Sequence, residues 1–484
     1  MALPGDGARS NYGSYWGGAL TEAILNGTIP QWRLDDMVVR IMSAFYKVGR
    51  DGKRVPINYS SWVNTTTGYR YFASKMGNTT VNQHVDVQDD HSELIREIGA
   101  KGTALLKNNN TLPLKRPLSI AIVGEDAQDN PGGPNACVDR ICNTGTLAMG
   151  WGSATAKFPY LVAPATALQA RAEVDDTAFT NVKSNYDLDA ARVAARNASV
   201  AIVFANANGG EGYVTLDGNF GDRKNLTLWN NGDELISAVA SVNSKTVVVI
   251  HSVGPVLIDH IKRNPNVTAI LWAVLPGQES GNSLVDVLYG AVNPQGRTPF
   301  TWGKKAGDWG ITTLTNATTQ MPDQDFDEGV FIDYRYFDRE GIEPSWEFGF
   351  GLSYTDFKYS SLTIEAANLS THEPTTGETA PAPTFGTIDK NTTSALTPDG
   401  FQKIPKFIYP WINSSDLPSH GNVSLPEGGL DDSPQPLLPA GGAPGGHPGL
   451  YETMFTVSAS ITNSGELPGT DVPQVVSHAM AGYV

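Results

Sequence analysis

The sequence has 484 residues, 40% of them hydrophobic, so it is long enough to bury more than one core and to form two or three domains. Fifty acidic against 34 basic side chains give a formal net charge of −16, which argues against nucleic acid and anionic membrane surfaces as partners. No uninterrupted apolar run reaches about 18 residues, and the first residues, MALPGDGARSNYG, have neither the basic nor the apolar region of an export signal.

Two helices are predicted within the first 50 residues. TEAILNG precedes the segment PQWRLDDMVVRIMSAFYKVG, whose apolar residues recur at helical spacing between Pro30 and Gly49. Residues 51–90 are rich in Asn, Thr and Tyr, and we expect a linker there.

From residue 91 the pattern alternates between helices and short β-branched runs. The predicted helices are HSELIREIGAKGTALLK, LDAARVAARN, GDELISAVASVN and GNSLVDVLYG, and the predicted strands are LSIAIVG, SVAIVFA, TVVVIHSV and NVTAILWAV. The strands are apolar almost throughout, as expected for a sheet covered on both faces. We therefore expect a mostly parallel α/β sandwich domain, with its following connection, over residues 91–355.

The composition changes again after GLSYT at 351–355. Residues 356–449 are rich in Pro, Gly, Ser and Thr and are expected to form an extended insertion with little core. Residues 450–484 alternate apolar and polar side chains around an NSGE turn, which predicts the first strands of a β-sandwich. Because such a sandwich needs about seven strands, we expect this module to be incomplete.

Sequons and cysteines both point to a secreted protein. Thirteen Asn-x-Ser/Thr sequons occur where about five are expected by chance. Only two cysteines occur, Cys137 and Cys142 in ACVDRIC, and their spacing permits a disulfide across one loop. Two free thiols are the alternative, and a metal would need further soft ligands that are not nearby. The sequons are at Asn26, Asn58, Asn64, Asn78, Asn109, Asn197, Asn225, Asn266, Asn316, Asn368, Asn391, Asn413 and Asn422.

The stretch NANGGEGYVTLDGNFGDRKNL at 206–226 follows an apolar strand and contains three acids. Glu211 has glycines on both sides, which allow close approach by a ligand, and Tyr213 follows as an aromatic platform. Asp217 and Asp222 lie in DGN and GDR, which are typical of turns and ion pairs. Glu211 is the strongest catalytic candidate of the three, and solvated loop acids are the alternative.

Other catalytic classes fit the residues less well. The glycine-containing loops lack both the G-x-G-x-x-G spacing and a G-K-[ST] ending, which argues against a dinucleotide or phosphate site. Ser280 in GQESGNS lacks a convincing nucleophile elbow, and His251 at the end of TVVVIH is more typical of a core histidine than of a base. A carboxylate-based hydrolase or a sugar-binding module remains, without cofactor or metal. The aromatics that could stack on sugars are Trp16, Trp151, Tyr213 and Trp229.

Several long segments resemble fungal β-glucosidases of glycoside hydrolase family 3, in order, from residue 1 to about residue 480. They include MALPGDG, LLKNNNTLPL, GTLAMGWGSATAKFPYLVAP, GGEGYVTLDGN, GDRKNLTLW, ILWAVLPGQESGNSLVDVLYG, EGVFIDYRYFD, FGFGLSYT and SPQPLLPAGG. The resemblance implies a (β/α)₈ barrel, an α/β sandwich and a C-terminal fibronectin III-like domain. On this chain, residues 1–50 would be the last helices of the barrel, and residues 450–484 the start of the fibronectin III-like domain.

The resemblance also assigns roles at the site. Glu211 matches the family's acid/base, and Tyr213 resembles an aromatic at the aglycone subsite. The family's nucleophile is a barrel aspartate in a Ser-Asp-Trp segment that precedes MALPGDG, so we expect the nucleophile and the barrel's glucose-binding residues to be missing from these 484 residues. The implied reaction is retaining hydrolysis of cellobiose, cello-oligosaccharides and other β-glucosides during extracellular cellulose degradation.

Two hypotheses follow. The sequence represents a truncated β-glucosidase with no measurable turnover on its own, or it is a non-catalytic remnant that binds sugar. In either case a barrel remnant and an unfinished sandwich would leave apolar faces uncovered, so we expect poor solubility. Aglycone preference and oligomeric state are not specified by the sequence.

Overall fold

A computed structural model describes the chain at residues 20, 29, 31–52, 58–60, 63–69, 78–138, 141–151, 155–209, 215–216, 219–220, 223–310, 325–367 and 452–475. The chain divides into two compact units, one of residues 1–87 with 364–457 and the other of residues 88–363 with 458–484.

The first unit contains the helix predicted from PQWRLDDMVVRIMSAFYKVG, here α1 (Gln31–Lys47). The chain leaves it at Gly49, whose φ of 71° favours glycine. Val38, Ile41 and Phe45 are exposed, so within the described residues the apolar stripe of α1 lacks a cover. The expected linker contains a short antiparallel ribbon of β1 (Thr67–Tyr69) and β2 (Asn78–Thr80). TEAILNG lies outside the described residues.

The second unit is built on a six-stranded sheet in the order β3-β10-β9-β6-β4-β5. β3 runs antiparallel to β10, and all other neighbours are parallel, which confirms the predicted mostly parallel α/β class. A separate two-residue ladder joins β7 to β8. The strands are β3 (Ala104–Asn108), β4 (Ser119–Val123), β5 (Ala178–Val182), β6 (Val200–Ala207), β7 (Thr215–Leu216), β8 (Asn219–Phe220), β9 (Thr246–Ser252) and β10 (Val267–Trp272).

Helices cover the sheet, and local sequence explains their ends. Pro164 occupies the first position of α3, and Asp176 ends that helix in the left-handed region at φ 55°. The Asp187 carboxylate caps α4 by accepting from the Ala190 N–H at 3.0 Å. The helices of this unit are α2 (His91–Gly102), α3 (Pro164–Asp175), α4 (Leu188–Arg196), α5 (Gly232–Ala240), α6 (Asp259–Arg263), α7 (Ser280–Leu288) and α8 (Tyr334–Glu340).

The core consists of two apolar layers, one on each face of the sheet. Alternate side chains of β6 enter opposite layers: Val203 and Ala205 pack on one face, and Ile202 and Phe204 on the other. All eight residues of β6 are buried. A fully buried side chain of this size contributes about 1.5–3 kcal/mol to folding, so the central strand is held firmly from both sides.

The sequence prediction is wrong at the end of HSELIREIGAKGTALLK. α2 stops at Gly102, and Ala104–Asn108 form β3 instead of further helix. Thr103 is extended, and the following apolar residues are buried while their backbone pairs with β10. Burial against a neighbouring strand therefore outweighs the helix propensity of Ala, Leu and Lys. The sequence analysis also did not identify α3, α6, α8 and the edge strand β5.

The edge of the sheet at β3 is covered by later chain. The Leu352 N–H donates to the Leu105 carbonyl at 2.8 Å, and the Trp346 indole donates to the Leu106 carbonyl at 2.8 Å.

No helix in the described parts of the chain is both long and apolar enough to cross a membrane.

Residues 357–366 differ from their predicted place in the insertion. They form β11 (Phe357–Ala366), which pairs with β12 (Phe455–Asn463), the strand predicted after residue 450. In the second unit, Arg297 Nη2 donates to Asp471 Oδ1 at 2.7 Å, and Thr355 Oγ1 donates to Asn463 Oδ1 at 2.6 Å. The cross-strand pairing explains the error, because a pair of strands distant in sequence is not visible in local composition. The rest of the insertion, 368–449, lies outside the described residues.

Candidate active site

The carboxyl ends of β4, β6 and β9 lie side by side, because these three strands are parallel neighbours. Glu125 and Asp126 follow β4, Asn208 and Gly209 follow β6, and Val253 follows β9. Ligand sites in open α/β sheets form at this edge, where loops leave the strands. Asn206 of β6 lies opposite His251 of β9 in the register, which places both residues at the last rungs of the ladder.

The predicted catalytic segment leaves the sheet from β6, a central strand that lies between β9 and β4. Gly209 is the last described residue before Glu211, which comes two positions later. From Arg223 onward the structure describes every residue up to Gly310. Glu211, Tyr213, Asp217 and Asp222 themselves lie outside the described residues, so their assignments stay predictions.

Asp126 accepts hydrogen bonds from three different segments at this edge. Its Oδ1 receives Asn206 Nδ2 at 3.1 Å and the Leu147 N–H at 2.8 Å, while Oδ2 lies 2.7 Å from His251 Nδ1. Asp126 is 1% exposed and His251 is fully buried. An ionised carboxylate only accepts, so pairing with one requires the proton of His251 on Nδ1. The sequence interpretation of His251 as a hydrogen-bonded core histidine fits this geometry.

Glu125 is the carboxyl at this edge whose chemistry the sequence analysis missed. Burial raises its pKa, and the Asn230 amide, which donates to Glu125 Oε2 at 3.4 Å, opposes that rise. The Glu125 N–H donates to Asn185 Oδ1 at 2.8 Å, and the Asn185 amide donates to the Asn230 carbonyl at 2.6 Å. A local signal exists, since Glu125 comes one residue after a buried strand in AIVGED.

Arg223 brings a half-buried positive charge to the same edge. A Cβ added to Gly209 would lie 3.9 Å from Arg223 Cγ, and a Cβ added to Gly254 would lie 3.7 Å from Arg223 Nη1. The Arg223 side chain therefore lies beside both glycines. Burial lowers the pKa of its guanidinium to about 10, and Nε and Nη2 have no hydrogen-bond partner among the described residues. A buried guanidinium with free donors favours nearby carboxylates or hydroxyls.

The cysteine segment borders the site. Cys137 and Cys142 form a disulfide with their Cα atoms 6.1 Å apart, so the alternative of two free thiols does not hold. A cleft between this segment and the sheet is lined by side chains that include Leu147, Met149 and Asn206. The disulfide-closed loop therefore reaches the strand that leads to Glu211.

Two aromatic candidates for sugar stacking are wrong. Trp151 and Trp229 are 6% and 3% exposed and pack against each other with ring centroids 5.7 Å apart. Their faces are occupied by the core, which cannot be read from sequence alone. Trp16 lies outside the described residues. Ser280 is fully buried at the start of α7, in keeping with its rejection as a nucleophile.

The described sequons differ in accessibility. Asn64, Asn78, Asn109, Asn197 and Asn225 are exposed, and Asn58 is half-buried. Asn266 is half-buried and its Nδ2, the atom that would carry a glycan, donates to the Ala240 carbonyl at 2.8 Å. The remaining six sequons lie outside the described residues. In the described part of the chain, no three His, Cys, Asp or Glu side chains are grouped to hold a metal.

Comparison with known proteins gives a family match and close relatives. The Glycosyl hydrolase family 3 C-terminal domain matches residues 103–354. The chain is 53% identical to beta-glucosidase A of Aspergillus kawachii and 52% identical to a probable beta-glucosidase A of Aspergillus niger, in each case over 98% of this chain and 57% of the relative. The chain therefore spans a little over half the length of these relatives.

Solved structures give the same result. A Chaetomium thermophilum beta-glucosidase superimposes with a TM-score of 0.83 at 52% identity, covering 96% of this chain and 57% of that one. A glycoside hydrolase family 3 beta-glucosidase from Neurospora crassa superimposes with a TM-score of 0.82 at 50% identity, covering 94% and 56%.

Proposed function

Because the chain belongs to glycosyl hydrolase family 3, we propose that it supplies the acid/base half of a retaining β-glucosidase active site, with Glu211 as the acid/base. The reaction releases β-D-glucose from the non-reducing ends of cellobiose and other β-glucosides. The observation that supports this most is the departure of the Glu211 segment from the carboxyl end of β6, in a chain 53% identical to a beta-glucosidase A.

The proposed chemistry divides the two carboxyl groups between two domains. A retaining glycosidase needs two of them about 5 Å apart: one attacks the anomeric carbon, and the other protonates the leaving oxygen and later activates water. Glu211 takes the second role, with Tyr213 against the aglycone. The first belongs to a barrel aspartate outside the 484 residues, and residues 1–50 and 450–484 are parts of the barrel and of a fibronectin III-like domain.

Charges at the sheet edge bear on the acid role. A general acid works best when its pKa lies near the working pH, well above that of a free glutamate. Burial raises the pKa of Glu125 at this same edge, so the surroundings disfavour a carboxylate. The Arg223 guanidinium acts in the opposite direction and favours carboxylates close to it.

The test joins the chain to a barrel. We define the chimera as Aspergillus kawachii beta-glucosidase A with its matching part replaced by residues 1–484. The chimera should hydrolyse cellobiose and aryl β-glucosides, whereas residues 1–484 alone should show no turnover. In the chimera, Glu211→Gln should slow poor leaving groups by about 10²–10⁴-fold, and azide should restore turnover of activated substrates.

The rival acids of the segment provide matched controls. Asp217→Asn and Asp222→Asn should keep most of the chimera's activity and gain nothing from azide. Azide rescue in one of these variants, and not in Glu211→Gln, would move the acid role to that residue. Turnover by residues 1–484 alone would contradict the division between two domains. Sugar binding by the chain together with an inactive chimera would favour the non-catalytic alternative.

We also propose that the protein is secreted and glycosylated. The Thr227 N–H and hydroxyl both donate to Asn225 Oδ1, at 3.3 and 3.0 Å, so Nδ2 is not the atom engaged in these bonds, and Asn225 is exposed. Expression in a fungal host should give a glycan at Asn225 and none at Asn266, measured by mass spectrometry after enzymatic deglycosylation in H₂¹⁸O. A glycan at Asn266 would contradict the native fold around Ala240.

A further inference from the structure

We infer that Asp126 is a positioning residue for the catalytic segment 210–222, acting through Asn206. The inference rests on the proposed function, since it concerns how the Glu211 segment is held. Asp126 follows β4, whereas the segment follows β6. Asp126 receives a hydrogen bond from Asn206, the residue four positions before the segment begins.

Asn206 fixes the chain on both sides of the segment. Its side chain donates to Asp126 at 3.1 Å, and its carbonyl accepts from the Trp229 N–H at 2.8 Å, after the chain has returned from the segment. Asn206 and Trp229 are both buried. A rotation or displacement of Asn206 therefore moves the departing and the returning chain together.

The contact needs a carboxylate. Three donors from three segments converge on Asp126, two on Oδ1 and one on Oδ2. An amide in its place has one acceptor oxygen and one NH₂ group, and the NH₂ group would face His251 Nδ1. Either two buried donors then meet, or the His251 proton moves to Nε2, which is buried and has no hydrogen-bond partner among the described residues. Asn206, His251 or the segment at Leu147 would then have to shift. Because β6 is packed on both faces, the displacement would be taken up by its polar end, where the catalytic segment starts.

The chimera defined above allows a test that separates positioning from stability. The variant is Asp126→Asn, and its matched control is Asp308→Asn. Asp308 is also buried, at 3% exposure, and its Oδ2 also accepts two backbone N–H groups, from Lys304 and Lys305, but it has no bond to β6. Both variants lose a buried acceptor, so both should unfold at lower temperature than the parent.

The readout is the ratio of kcat/KM for 2,4-dinitrophenyl β-glucoside to that for cellobiose. The first leaving group departs without a proton and the second requires one, so a displaced acid raises this ratio. Asp126→Asn should lower kcat/KM for cellobiose by about 10²-fold and that for the dinitrophenyl substrate far less. Asp308→Asn should keep the parent ratio.

Asn206→Ser is the second variant, for the case that Asp126→Asn does not fold. It removes the link to β6 but leaves Asp126 bonded to His251 and Leu147, and it should raise the same ratio. If a folded Asp126→Asn or Asn206→Ser variant has the same ratio of kcat/KM values as the parent chimera, the inference is overturned while the proposed function stands. An inactive parent chimera would overturn the proposed function and this inference with it.

Discussion

Arg297 and Asp471 form an ion pair at 2.7 Å, with side chains only 14% and 16% exposed, between the chain after β10 and the chain after β12. The Tyr359 hydroxyl also donates to Asp471. Burial by itself would raise the pKa of Asp471, but the bonds from Tyr359 and Arg297 outweigh it and hold that pKa below its usual value. The pair thus links segments 174 residues apart and does so only while Asp471 is ionised.

The first prediction concerns the pH dependence of this pair. Asp471→Asn should lower the free energy of unfolding at pH 7 by about 1.5–3 kcal/mol, because it removes charged hydrogen bonds. Since the folded pKa lies below the unfolded one, this stabilisation is complete above about pH 4 and is lost as the pH falls through the folded pKa. Urea unfolding of parent and variant at several pH values measures it. A difference that stays constant down to pH 2 would contradict the role of the ion pair.

Glu125 should show the opposite dependence. Its folded pKa is raised, so its contribution to stability is present below its unfolded pKa and is lost as the pH rises through the folded pKa. Glu125→Gln should therefore equal the parent in stability near pH 4 and exceed it at pH 7, by no more than about 1 kcal/mol, because the new amide oxygen still accepts from Asn230. Thermal unfolding at the two pH values tests this, and a variant less stable than the parent at pH 7 would refute it.

The packing of α7 against α3 leaves no space at Gly281. A Cβ there would lie 2.4 Å from the Ala163 carbonyl oxygen and 2.8 Å from the Ala167 Cβ. Gly281→Ala should lower the free energy of unfolding by about 1–3 kcal/mol through overpacking. Gly307→Ala is the control, since no atom lies within 4 Å of its Cβ position, and it should change stability by less than about 0.5 kcal/mol. Equal effects of the two substitutions in urea titrations would show that the helices are not packed this closely.

The disulfide should stabilise its loop modestly. Replacing both Cys137 and Cys142 by Ser should lower the free energy of unfolding by about 2 kcal/mol, because the closed loop is short. Reductant should shift the parent by a similar amount in a thermal melt and leave the double variant unchanged, since these are the only two cysteines. A parent protein that does not respond to reductant would contradict the prediction.

The sheet could be predicted largely because its central strands are buried on both faces. β6, β9 and β10 are apolar along most of their length, so their type was visible without knowledge of their neighbours. The predictions for β3 and β5 failed, each for a different reason. β3 is composed of helix-forming residues that become a strand through pairing with β10, and β5 is a partly exposed edge strand without a strong apolar pattern.

Residues of the site could be predicted only where the signal for their role lies in a few consecutive residues. The glycines around Glu211 and the resemblance of GGEGY to a family motif identify a candidate acid from a few consecutive residues. Asp126 gave no such signal, because its partners Asn206 and His251 are 80 and 125 residues away and meet it only through the parallel strand order. The burial of Trp151 and Trp229 depends on the same long-range packing.

The two margins of the sheet are not equivalent. At β3, backbone groups are engaged by the chain around Leu352 and by the Trp346 indole. At β5, strand Ala178–Val182 pairs on one side with β4, and the described residues place no strand on its other side. Exposed strand margins are where sheets recruit further strands. We therefore expect self-association of this chain by strand addition to occur at β5. A charged residue or a proline introduced into β5 should reduce aggregation of the purified protein.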